Sequence, residues 1–274
     1  MPNSTSIFRR HIFLPQDHGS WVFILCPLSI GLFTARQFSA ASMALVVTAM
    51  AAFLIRQPVT IAIKAYSGRR PRTDLPAARF WMIIYGTVLI LSVAELITLG
   101  DIYILLLGIP AAPIFAWHLW LISRREERRQ AGIEILATGV LALAAPAAFW
   151  IGRNGYQPLG WVLWILTWFQ SGASITYAYL RLEQREWKSN PDHSTRFKAA
   201  KWAVTYSFFN LIFTLTLCVM QVIPVLIWLP FLIQALETIW GTFNPAIGAK
   251  PVQVGTRQLF ITLIFTFLFI ILWR

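Results

Sequence analysis

Arg56, Thr60 and Lys64 recur at every fourth residue, near the inner end of an apolar run that starts near Ala41. On a helix that spacing sets them on one face, with about 12 Å of rise from first to last. A lysine at a membrane boundary extends its ammonium to water. An arginine two turns deeper does so at greater cost, roughly 2.5–3.5 kcal/mol on insertion scales. Guanidinium forks match phosphate or carboxylate oxygens in pairs, and a lysine adds a point charge. The pattern therefore points to a polar cavity that holds an anion. The competing explanation for Arg56 is an ion pair with Glu134, Glu237 or another buried acid.

Tyr177, Arg181 and Arg185 repeat the same spacing at the inner end of a later apolar run. Two cationic stripes facing one cavity would make an anion clamp. Positive residues at cytoplasmic helix ends also arise from topology alone, and for Lys64, Arg181 and Arg185 that explanation stays open. Before the first apolar run stands Pro15-Gln16-Asp17-His18-Gly19-Ser20-Trp21. Asp17 and His18 there make either a polar lid, with His18 titrating near neutral pH and Asp17 pairing with a clamp arginine, or a helix cap followed by an interfacial tryptophan. Gln234 and Glu237 lie three apart and share a helix face, which places them in the same cavity. Among the other intramembrane polar residues, Glu95, His118, Glu134 and Asn210, none has convincing metal-ligand spacing. No phosphate-cradling glycine loop and no Ser or Cys nucleophile motif occurs, so neither a metal nor a cofactor is expected.

The elements that must position these groups are membrane helices. Of the 274 residues 57% are hydrophobic and 12% charged, with a mean hydropathy of +0.63. Apolar runs long enough to cross a bilayer recur along the chain. Nine spans are expected, near 20–35, 41–65, 79–98, 102–122, 132–152, 159–181, 201–220, 222–241 and 256–273, in one membrane domain covering 1–274. Nineteen of the 23 Lys and Arg residues fall in alternate loops on one side, against Arg36, Arg153 and Arg274 on the other and Arg56 within a span. The positive-inside rule then sets the N-terminus in the cytoplasm and the C-terminus outside. That asymmetry accounts for the net charge of +12 without nucleic acid as a partner. Cys26 and Cys218 fall inside apolar runs and read as buried thiols. No cleavage site follows the first run, which is expected to be retained. Similar features at the ends of the second and sixth spans hint at an internal repeat. Trp161, Trp164 and Trp168 share one face of the sixth span, either as lipid and core contacts or as an aromatic wall for an isoprenoid tail.

The entry PQDHGSW, the RQP with a lysine six residues after its proline, and the later YxxxRxxxR resemble the YwiC-like family of bacterial membrane proteins. Asp17 and Ser20 replace the glutamate and alanine of that family's usual entry. The family implies no particular reaction. The layout is more distantly similar to UbiA-type intramembrane prenyltransferases, all-α bundles of nine helices. Those carry NDxxDxxxD at the inner end of helix two and DxxxD at the inner end of helix six, acids that hold magnesium and through it a prenyl diphosphate. Here Arg56, Thr60 and Lys64 stand at the first place, Arg181 and Arg185 at the second, and the aspartates are missing.

That reversal implies a UbiA-like scaffold whose cationic cavity opens to the cytoplasmic side of the inner (plasma) membrane. It would bind an anionic-headed or prenylated lipid without metal, with catalysis lost. Three other functions stay open: a prenyltransferase-like enzyme using Arg and Lys in place of metal-bound Asp, a transporter or flippase for a small anion or anionic lipid, and a scaffold whose charges serve topology alone. The residues name no protein partner.

Overall fold

A computed structural model describes residues 7–15, 18–124 and 131–274, all helical and without strands among them. After a short α1 (Arg10–Phe13) come α2 (His18–Ala35), α3 (Ala40–Tyr66), α4 (Leu75–Thr98), α5 (Gly108–Arg124), α6 (Ala131–Ala142) and α7 (Ala144–Gly152). They are followed by α8 (Leu159–Gln184), α9 (His193–Val219), α10 (Trp228–Phe243) and α11 (Pro251–Leu272). Asp17, and the side chain of His18, lie outside the described residues.

Local chemistry sets several of these boundaries. Ser39 caps α3: its hydroxyl accepts the Ser42 amide while Ser42 answers on the Ser39 amide, so two end donors are satisfied together. Arg36, in the left-handed region at φ 63°, ends α2, and its guanidinium donates to the Trp273 carbonyl at 3.2 Å. Between α6 and α7 the helix breaks at Leu143 because Pro146 has no N–H to give Ala142 and its ring crowds that carbonyl. The Leu143 amide turns to Val140 instead, at 3.1 Å. The Gly139 carbonyl then receives the Trp164 indole N–H at 2.8 Å. One turn earlier the Ile135 carbonyl receives that of Trp168 at 2.6 Å. Trp161, Trp164 and Trp168 thus form a ladder, with Trp164 and Trp168 stacked at 5.2 Å. It fastens α8 to α6, which is the packing role rather than an isoprenoid wall.

Among the described residues six helical segments are long and apolar enough to cross a membrane: 40–66, 72–98, 102–124, 131–152, 193–219 and 251–272. Three of the nine expected spans fall short, each for its own reason. The apolar part of α2, Gly19–Ala35, is too short. α10 has 16 residues, about 24 Å against a hydrocarbon core of about 30 Å. α8 is long enough, but Thr167, Gln170, Ser171, Ser174, Tyr177 and Arg181 are all buried on it, so its apolar surface is incomplete.

All nine residues of α7 are buried, which makes it the centre around which α2, α3 and α8 pack. α3 packs chiefly on α4, while α8 packs on α6, α7, α9, α10 and α11. The α2–α7 contact depends on small residues: a Cβ on Gly31 would stand 2.7 Å from the Ala148 Cβ and against the Ala145 carbonyl. Gly31→Ala is expected to cost about 1–3 kcal/mol by overpacking, read as a lower melting temperature of the purified protein. Gly132→Ala, which would meet nothing within 4 Å, should leave melting unchanged or slightly raised.

Candidate functional site

The two cationic stripes do not share a cavity. Arg56 reaches one end of a half-open cavity of about 480 Å³ lined by α2 to α7. Its walls are Leu45, Ala52 and Phe53 of α3, Leu89 and Val93 of α4, Ala111 and Phe115 of α5, Val140 of α6 and Ala147 of α7. The few polar side chains on the lining sort toward its ends. Thr48 and Asp101 stand at one end, and Arg56 and His118 at the other. Thr48 donates to Ser92 at 2.8 Å and Asp101 accepts the Tyr103 hydroxyl. Along α3 the lining runs from Leu45 to Arg56, about 16 Å of helix rise. The Arg56 guanidinium carbon lies 5.5 Å from the Phe53 ring centroid, a cation–π distance. Thr60 and Lys64 continue down the same helix, half-buried and off the cavity lining.

α1 seals the inner ends of α3 and α4. Ile12 is fully buried beside Ile61, Ala62, Ala77 and Ala78. Gln57, next to Arg56, donates to the His11 carbonyl at 2.8 Å, and Tyr85 and Trp81 donate to the Phe13 and Ile7 carbonyls at 3.0 Å each. Arg9 and Arg70 both reach Asp74, at 3.4 and 3.2 Å. The chain before α2 is therefore tied to the same end of the bundle as Arg56.

The second stripe belongs to a different polar network, at the C-terminal ends of α8 and α10 and the N-terminal end of α11. Tyr177 donates to Glu237 at 2.7 Å. Arg257 holds the same carboxylate with two N–H groups, Nε on Oε1 and Nη2 on Oε2, the latter at 2.8 Å. Fork geometry of this kind is the strongest form of ion pairing available to a side chain. Arg257 also lies on Trp240, 3.7 Å from the ring centroid. Arg181, only 7% exposed, donates to Gln184 Oε1 at 2.9 Å, to the Gly241 carbonyl at 2.9 Å and to the Asn244 carbonyl at 2.6 Å. The two carbonyls belong to the frayed C-terminus of α10, where a cation is favoured. Arg185 donates to Ala249 at 3.2 Å. Arg181 and Arg185 therefore tie the α10–α11 connection to α8.

Of the two residues placed in the same cavity as Arg56, Glu237 meets Tyr177 and Gln234 meets Gln170 and Gln258, and neither lines the cavity that Arg56 reaches. Glu237 is held by Arg257 and Tyr177 as above, and Glu134 accepts the Tyr179 hydroxyl at 2.8 Å. Sequence reasoning missed Arg257, which read as a loop charge before a span beginning near 256. The structure starts α11 at Pro251, so Arg257 lies two turns inside the helix. It also missed Gln170 and Gln258, which both donate to Gln234 at 3.2 Å. Among the described residues no group of three or more His, Cys, Asp or Glu stands close enough to hold a metal ion.

Arg181→Ala would strip three acceptors of a charged donor in a medium without water. Hydrogen bonds to charged groups are worth about 1.5–3 kcal/mol each and do not add; a net loss of about 3 kcal/mol is expected. It should appear as a lower melting temperature, and Arg181→Lys should recover only part of it, because the shorter lysine falls short of the position of Nη1, which makes all three bonds, and lacks the planar group that lies by Tyr177 and Trp240.

Residues 14–149 match the family model described as YwiC-like protein. No curated protein matches the chain, and no solved structure does. Every residue lining the large cavity, from Ile24 to Ala147, falls inside the matched segment, whereas Tyr177, Arg181, Glu237 and Arg257 fall after it. Over residues 14–149, about half of its length, this chain is similar to the YwiC-like family.

Proposed function

We propose that the chain is a nine-pass protein of the inner (plasma) membrane that holds an amphipathic lipid, with the apolar chain in the α2–α7 cavity and an anionic or strongly electronegative head at Arg56. The observation that carries this reading is the pairing of a long apolar lining with an arginine at one end. A cavity of about 480 Å³ is within the roughly 300–1,000 Å³ usual for small-molecule sites. An apolar chain replaces lining-to-water contact with lining-to-hydrocarbon contact, and each buried methylene contributes about 0.8 kcal/mol. The head then gains charge-assisted hydrogen bonds from a guanidinium that already lies in the membrane. No metal is needed to neutralise an anion there. α5, which forms one wall, has the least buried span of the six, 6%, so a ligand need cross little protein to enter from the bilayer.

The test is lipid retention. Protein purified in mild detergent is expected to carry a lipid detectable by native mass spectrometry and solvent extraction. Arg56→Gln should lower its occupancy about tenfold, the loss of roughly one charge-assisted contact. Ala111→Trp, which fills the cavity, should expel it, and EDTA should change nothing. Equal retention in both variants, or loss on chelation, refutes the reading. Arg181→Ala should retain the lipid even as it melts earlier.

Nine passes with the N-terminus inside require the C-terminus outside, and six would put both ends on one side. A phosphatase fused after Arg274 is therefore expected to be active and a fluorescent protein at the same point dark. The reverse pattern excludes nine passes in this orientation.

A further inference from the structure

A second, much smaller cavity, of about 10 Å³, lies between α2, α8 and α11. That volume is about the room one water-sized particle needs. Its polar lining consists of Thr167, Gln170, Ser171 and Ser174 of α8 with Thr262 and Thr266 of α11. All six are buried. Four of the hydroxyl protons are already committed to the carbonyl one turn back. Thr167 donates to Leu163 at 2.8 Å, Ser171 to Thr167 at 3.0 Å, Thr262 to Gln258 at 2.9 Å and Thr266 to Thr262 at 2.8 Å. Each of those oxygens has only lone pairs left to offer. Gln170 spends its amide N–H on Gln234, while its Oε1, on a side chain 3% exposed, has no hydrogen-bond partner. The lining thus presents several neutral oxygen acceptors and one rotatable hydroxyl, Ser174, beside the Cys26 thiol, which hydrogen-bonds Thr266.

We infer that this cage binds a small monovalent cation of the sodium class. Hard cations take oxygen ligands, and a site for one particle with acceptors on two helices is the shape such an ion needs. A divalent ion is excluded by chemistry: the lining holds no carboxylate, and magnesium gives up its water reluctantly. Glu237, the acid of the adjoining polar network, is held by Arg257, and the lining itself supplies no counter-charge, so binding is weak. A water molecule would satisfy two of the same acceptors, and that is the outcome the experiment must separate. The cage does not depend on the lipid reading, since it shares no residue with the α2–α7 cavity.

The experiment is thermal unfolding of the full chain in detergent at constant ionic strength, with sodium, potassium or choline chloride. Ligand binding to the folded state raises melting in a saturable way. Sodium is expected to raise the melting temperature by several degrees over choline, with potassium giving less than half the shift. Thr266→Val, which keeps the shape and removes one oxygen, should abolish the sodium increment. Thr214→Val, which deletes a hydroxyl with the same backbone bond on α9, should retain it. Identical melting in the three salts overturns the inference and leaves a structural water as the occupant. So does a sodium increment that survives Thr266→Val. Where Thr266→Val fails to fold, Ser171→Ala and the wild-type salt comparison decide the question.

Discussion

Arg181 carries its charge where bulk water scarcely reaches, and the inner half of the bundle is arranged to satisfy it. A buried guanidinium costs several kcal/mol unless its donors are matched. Here the matching acceptors are Gln184 and two carbonyls freed at the end of α10. That arrangement fixes where α10 stops relative to α8. It also positions Trp240 between two cations, 5.5 Å from Arg181 and 3.7 Å from Arg257. Glu237 then joins α8, α10 and α11 through Tyr177 and Arg257. In water such a network would be roughly neutral to stability. In hydrocarbon the unfolded alternatives offer no better partner, and polar satisfaction becomes the term that decides which helices are neighbours.

The other half of the molecule is held by close approach rather than polar matching. Gly31 lets α2 rest on Ala145 and Ala148, and Gly139 leaves room for the Trp168 ring. Both contacts centre on the helix that Pro146 interrupts. A break there is tolerated because the Gly139 carbonyl finds the Trp164 indole. The proline, the glycine and the tryptophan ladder thus form one device: the break turns α7 into the core, and the ladder covers the cost of an unpaired carbonyl. Packing α7 against α2 and α8 leaves α3, α4 and α5 to close around a space that their mostly small and aliphatic side chains do not fill.

Hydropathy and charge alternation made the helical order legible, since both are read from runs of many residues. The face on which each polar residue lies was legible too, because 3.6-residue periodicity sets it. Spacing is silent about which neighbour that face meets. Arg56 and Arg181 share a spacing pattern, yet α3 pairs with α4 while Arg181 meets the end of α10. Nothing in a four-residue repeat distinguishes these outcomes. Arg257 was hidden for a second reason: Pro251 starts α11 five residues earlier than the apolar run suggests, so a residue that reads as loop lies inside a helix. α8 reads as a span at 159–181, yet its polar stripe dilutes its mean hydropathy and leaves it outside the six apolar segments.

The contrast between the halves bears on what each is for. A stable bundle needs its buried polar groups matched, and the charges of Arg181 and Glu237 are matched by protein groups, so that pair is explained by architecture without a ligand. The α2–α7 cavity is not explained in that way. Apolar protein interiors are close-packed, and lining atoms that face open space forfeit dispersion energy. A space of about 480 Å³ is about three times the volume of an engineered void that takes up benzene. A membrane protein surrounded by free hydrocarbon chains has an occupant at hand, and the arginine at one end distinguishes a headgroup-bearing chain from an arbitrary tail. That difference is why the proposed function is assigned to the cavity and not to the more conspicuous cluster of charges.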